Sequence, residues 1–129
     1  MKGVEVTPNQ GNDPVIFESI TDTLAGGVTL DLTGFTPIDG MVPGGLPIGR
    51  KDPETGLAKI VTVSPGAAPE DAATLSERPI GYLRKAVEAD ANPLAAVVIS
   101  GVIRREMIPA AYQDYIDLLD EAMPKILSV

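Results

Sequence analysis

Four carboxylates, Asp114, Asp117, Asp120 and Glu121, fall largely on one face of a C-terminal segment and invite a cation-site reading. Calcium loops need closely spaced oxygens around a turn glycine, and that pattern is missing here. The expected role of these acids is a solvated surface. Asp52 and Glu54 stand near Gly56 and read as a turn on the same grounds. Ser100-Gly101 raises the question of a nucleophile, but an activated serine needs an adjacent base. The chain has no histidine. That removes the commonest general base, the usual triad member and the commonest metal ligand. Lys59 or Lys85 could replace it only in a desolvated dyad. A carboxylate pair of glycosidase type stays open, although 18 acids guarantee accidental proximities. Gly26-Gly27 and Gly44-Gly45 match neither phosphate-loop nor dinucleotide spacing and read as turns. No catalytic, metal or cofactor-binding residue is assigned.

The elements that must position these groups are short. Twelve Pro and thirteen Gly among 129 residues predict many turns. Residues 1–14 are polar and turn-rich and read as an arm without fixed structure of its own. Val15, Ile16 and Phe17, with Ile20 and Leu24, form an apolar patch that suits one helical turn or a short strand. Val28 to Thr33 alternates, with Val28, Leu30 and Leu32 on one face, as a half-buried strand does. Phe35 to Leu46 reads as an irregular loop. Leu46 to Arg50 and Leu57 to Val63 flank a turn with Pro53 and Gly56, which predicts a β-hairpin.

A short helix is predicted from about Pro69 to Leu75, with Glu70 and Asp71 in its first turn. Pro79 to Leu83 reads as a strand with its proline at the start. Ala89 to Pro93 reads as a turn. Leu94 to Ser100 reads as a central strand that continues through Val102-Ile103, with Gly101 marking a bulge or a close backbone approach. Tyr112, Tyr115, Ile116, Leu119 and Met123 follow helical spacing over Pro109 to Met123, and Pro124 stops that helix.

Length allows one domain with a modest, aliphatic core. Three Tyr, two Phe and no Trp leave few rings for an interface or for base stacking. A net charge of −8 repels phosphates and anionic lipid, so no nucleic-acid partner is expected. No lysine or arginine run exceeds two residues. Cysteine is absent, so redox compartment is not indicated. The N-terminal residues lack the apolar core of a signal peptide, and no apolar run approaches the length a bilayer demands. A soluble chain made in a cytoplasm is expected.

The order of apolar runs and glycines over Met41 to Val129 resembles the lambda-type bacteriophage head decoration proteins. Met41-Val42-Pro43 and Leu46-Pro47-Ile48-Gly49 look like the family's Pro-rich loop and first strand. Leu57-Ala58-Lys59-Ile60-Val61 is similar to its Lys-Leu-Val-like strand, and Ile80-Gly81-Tyr82-Leu83 resembles its Gly-Ile-Leu strand. Val97 to Ile103, then Met107-Ile108-Pro109, look like the closing strand, its glycine and the Leu-Pro entry to a helix. Residues 1–40 fall largely outside the match, and the acidic helix is more pronounced than the family's.

The resemblance implies an α+β fold: a small β-rich domain, mixed-sheet or barrel-like, with one or two short helices and an extended N-terminal arm. It implies two parts, an arm over 1–40 with a short strand or hairpin and a globular domain over 41–129. It implies a non-enzymatic virion protein on the outer capsid surface. Such a protein binds the major capsid protein as homotrimers at three-fold sites and holds the expanded head against packaged DNA. Neither a nucleic acid, a membrane nor a cofactor is implied. The expected shell contacts are Val15, Ile16, Phe17, Val28, Leu30 and Leu32. The expected trimer contacts are Met41, Pro43, Leu46 and Pro47. Read from residues alone, the arm serves equally as an intramolecular strand, and the resemblance favours the partner-binding form. Two other readings stay open. One is a head-fibre base or virion display module using the Tyr112, Tyr115 and Leu119 face. The other is a small histidine-free hydrolase.

Overall fold

The computed structural model describes residues 15–65, 72–89 and 93–129. The arm expected over 1–14, the first half of the helix expected at 69–75 and most of the turn expected at 89–93 lie outside the described residues.

The main sheet is built around the most apolar run of the chain. Val97–Ile103 forms β11, with Val97 and Val98 fully buried. A run apolar on both sides suits a strand with neighbours on both edges and cover on its faces. On one edge lies β1 (Phe17–Thr23), antiparallel. On the other lie β8 (Pro79–Leu83), antiparallel, and β12 (Ile126–Ser128), parallel. β4 (Pro47–Gly49) then pairs with β8. The order is β1-β11-β8-β4, with β12 beside the far half of β11.

A second sheet sets β2 (Val28–Asp31) between β10 (Leu94–Ala95) and β5 (Leu57–Lys59). The alternation of β2 is realised as expected: Val28 and Leu30 are buried, while Thr29 and Asp31 are half-buried. Two-residue strands make the remaining ladders. β3 (Met41–Val42) pairs with β9 (Val87–Glu88), and β6 (Val63–Ser64) with β7 (Thr74–Leu75).

The fold is thus small and β-rich, and among the described residues its sheets do not close into a barrel. The barrel-like expectation is corrected. β1 is seven residues long, so the patch at Val15 to Leu24 is a strand rather than a helical turn. The hairpin at Leu46 to Val63 is only partly formed. Its turn is present: the Gly56 amide donates to the Asp52 carbonyl at 2.8 Å, and Gly56 takes φ +75°. The flanking strands then part, because β4 runs to β8 and β5 lies parallel to β2. Among the described residues they are joined by the bridge between Ile48 and Ile60 and, at the turn, by the Asp52 amide donating to the Leu57 carbonyl. Pairing with two different sheets buries Ile48 and Ala58 fully, which a free-standing hairpin cannot do. Thr74 and Leu75, expected at a helix end, are strand β7, and Met41-Val42 is a strand inside the expected loop.

The C-terminal helix divides in two. Ala110–Tyr115 is 3₁₀ and α1 (Ile116–Ala122) is α-helical. The expected apolar stripe faces inward, with Tyr112, Ile116, Leu119 and Met123 buried. β12, which follows Pro124, was not expected: three residues are too few to show a period.

Candidate interaction surfaces

The carboxylates on the helical segment do not converge on a cation. Asp114, Asp117 and Glu121 are exposed, and no metal-competent group of acids occurs among the described residues. Asp120 instead turns toward β12. The Ser128 hydroxyl donates to its carboxylate, both oxygens of which lie 2.8 Å away. Arg105 Nε donates to that same hydroxyl at 3.1 Å, and Arg105 also reaches Asp120 Oδ2 at 3.3 Å. These contacts make the cluster a clasp that ties β12 to Arg105 and the C-terminal helical segment. Gln113 completes it by donating to the carbonyls of Arg105 and Ile108.

Ser100 donates weakly to the Lys125 carbonyl oxygen at 3.4 Å. Lys59 and Lys85 are both exposed, which leaves neither desolvated as a general base would need to be. The Asp52 to Gly56 segment is the expected turn, with the Glu54 amide donating to Asp52 Oδ1 at 2.8 Å.

The six expected shell contacts separate by burial. Val15 is 59 % exposed. Phe17 and Leu32 are half-buried. Ile16, Val28 and Leu30 belong to the chain's own core. Burying a Val or Leu side chain contributes roughly 1.5–3 kcal/mol. Offering Val28 and Leu30 to a partner would therefore cost a large share of the roughly 5–15 kcal/mol that holds a domain folded. Of the four expected trimer contacts, Met41 and Pro43 are half-buried, while Leu46 and Pro47 are buried. Leu46 is further committed through its carbonyl, which accepts from the Leu83 amide. The face of Tyr112, Tyr115 and Leu119 is also occupied: Tyr112 and Leu119 are buried in the core.

What remains outward is a sheet edge. β1 pairs with β11 on one side, and among the described residues no strand pairs with its other side. Residues 18–22 are all exposed, including Ile20 at 40 %. Three register shifts interrupt its ladder, and irregularity of this kind blunts an edge against indiscriminate pairing. Arg104 braces it through a loose contact with Glu18 at 3.9 Å.

Beside that edge a groove of about 990 Å³ crosses the main sheet. Thr21, Asp22 and Leu24 line it near β1, Ile99 and Ser100 on β11, and Pro79 and Ile80 on β8. Arg50, Glu77, Arg78 and the Met123 to Lys125 segment also border it. The cations were not legible as a group because they lie far apart in sequence and in no basic run. Separation in sequence gives a one-dimensional reading no signal; only the order of β4, β8 and β11 brings them together.

No helix among the described residues is long and apolar enough to cross a membrane. No protein-family model, curated protein or solved structure matches this chain.

Proposed function

We propose that this chain is a structural, non-enzymatic capsid decoration protein of the lambda type. It binds the outer surface of an expanded phage head through the major capsid protein, as a homotrimer at three-fold sites. The resemblance over Met41 to Val129 motivates the reading. The observation that supports it best is the outer edge of β1, with which no strand pairs among the described residues; β1 carries exposed Ile20, and exposed Val15 lies just before it. A strand edge gains affinity through main-chain hydrogen bonds, and flanking apolar side chains add specificity. Three such edges on one trimer act at high effective concentration.

The test is co-sedimentation with expanded, undecorated heads of the phage encoding the chain. β1 is a strand of the main sheet and β2 carries the core residues Val28 and Leu30, so point variants of the full chain are used in place of a truncation. Saturable binding is expected, weakened at least about tenfold by Val15→Asp with Ile20→Lys. Absence of binding by the unaltered chain refutes decoration. Equal binding by the variant keeps decoration and moves the contact away from β1.

A further inference from the structure

We propose that the groove across the main sheet is a docking site for an extended acidic and apolar segment of a partner protein. The floor supplies the apolar contact: Leu24, Ile80 and Ile99 are half-buried, and Pro79 and Met123 are buried beneath them. The rim supplies charge. Arg50, Arg78 and Lys125 face only two carboxylates there, Asp22 and Glu77. The rest of the chain has seven cations against sixteen acids. The groove is therefore a locally cationic site on an acidic protein, and a partner segment of negative charge is drawn to it rather than to the surrounding surface.

Among the described residues, the ion pairs use Arg104 and Arg105 with Glu18, Glu106, Asp117 and Asp120, and none uses Arg50, Arg78 or Lys125. All three are exposed.

The fold also sets the length and polarity of the occupant. From β1 past β11 and β8 to Arg50, at the end of β4, the groove spans three strand spacings, roughly 14 Å, or about four extended residues. Arg50 and Arg78 stand at the β4–β8 end. Lys125 stands over β11, where its carbonyl accepts from the Gly101 amide. Asp22 stands at the β1 end and repels a carboxylate there. The matching segment places acids at one end and the middle, apolar side chains between them, and a donor at the β1 end. A polynucleotide fits less well, because its uniform phosphates meet Asp22, Glu77 and a chain of net charge −8.

Fluorescence anisotropy on the full chain tests this in low salt. The probes are a labelled peptide of alternating Asp and Leu, the same peptide with Lys in place of Asp, and a labelled single-stranded oligonucleotide. The Asp-Leu peptide is expected to bind, and Arg78→Glu with Lys125→Glu to weaken it at least about tenfold. Lys59→Glu, exposed on β5 of the second sheet and outside the groove lining, is expected to leave binding unchanged. An unchanged urea midpoint shows that the double variant is folded. The proposal is overturned if the Asp-Leu peptide does not bind, if it binds the double variant equally, or if the Lys-Leu peptide or the oligonucleotide binds more tightly.

Discussion

The Tyr112 hydroxyl donates to the main-chain carbonyl oxygen of Val61 at 2.7 Å, across 51 positions of sequence. Val61 is fully buried, and its own amide donates to the Pro47 carbonyl at 2.9 Å. Val61 thus joins the C-terminal helical segment to β4 of the main sheet. Tyr112→Phe leaves that carbonyl buried without this donor. A stability loss of about 1–3 kcal/mol is expected, because an orphaned buried acceptor forfeits its desolvation cost. Urea unfolding measures it, and a loss below about 0.5 kcal/mol would show that the bond contributes little.

Tyr82 presents the opposite case. Its ring is fully buried on β8, yet its hydroxyl has no hydrogen-bond partner among the described residues. Burial pushes the phenol pKa far above its ordinary value of 10.0; the Asp120 charge adds to the rise and Arg105 opposes it. Tyr82→Phe removes a desolvated polar atom and keeps the ring, so stability at neutral pH is expected to hold or to rise by up to about 1 kcal/mol. The sign of the pH effect follows from the raised pKa. The folded state keeps the phenol neutral while the unfolded chain ionises it, so its stabilisation is full below pH 10.0 and declines above it. The Phe variant should lose less stability than the parent in alkaline urea titrations. Parallel losses in the two proteins would contradict this.

The contrast between these tyrosines shows what was legible in the sequence. Helical spacing placed Tyr112 on the inner face, and the apolar run around Tyr82 marked a buried strand. Period and composition report which face is covered. They do not report which distant carbonyl a hydroxyl meets, since Val61 and Tyr112 are brought together by tertiary packing. The same limit explains the parting of β4 and β5. The turn residues Asp52, Pro53 and Gly56 specify a local reversal, but burial in two different sheets decides the partners of the flanking strands. It also explains the groove, whose cations become neighbours only through strand order. Of the proposed contacts, Val28 and Leu30 had a clear alternating pattern, and alternation marks a buried face without saying whether a partner or the chain's own core covers it.

Gly101 is the position where a side chain is least compatible with β1. A Cβ there would lie 2.5 Å from the Ser19 carbonyl oxygen and 3.1 Å from the Ile20 Cα, and the residue takes φ +153°. Gly101→Ala is expected to cost about 1–3 kcal/mol through steric and backbone strain. The loss should be concentrated in the β1–β11 ladder. Hydrogen exchange should quicken in β1 amides bonded to β11 and change little in β2. Uniform change across both sheets would mean that β1 does not open separately.

Asp31 closes β2 with a local turn, its Oδ1 accepting from the Thr33 amide at 3.0 Å. Hydrogen bonds from the Thr33 side chain and then its main chain lower the carboxyl pKa below the ordinary 3.8, with a smaller contribution from Lys59, the cross-strand neighbour on β5. A depressed folded-state pKa gives stability that is fully present above 3.8 and is lost as pH falls through the lower folded value. Asp31→Asn keeps an oxygen for the Thr33 amide but removes the charge. The variant should be less stable than the parent at neutral pH, and the difference should shrink as pH falls below 3.8. The group is exposed to solvent, so the effect is small and is weakened by salt. Paired urea titrations at neutral pH and at pH values below 3.8 would decide the matter. A gap between the two proteins that stays constant on acidification would show that the carboxylate charge contributes nothing to holding the end of β2.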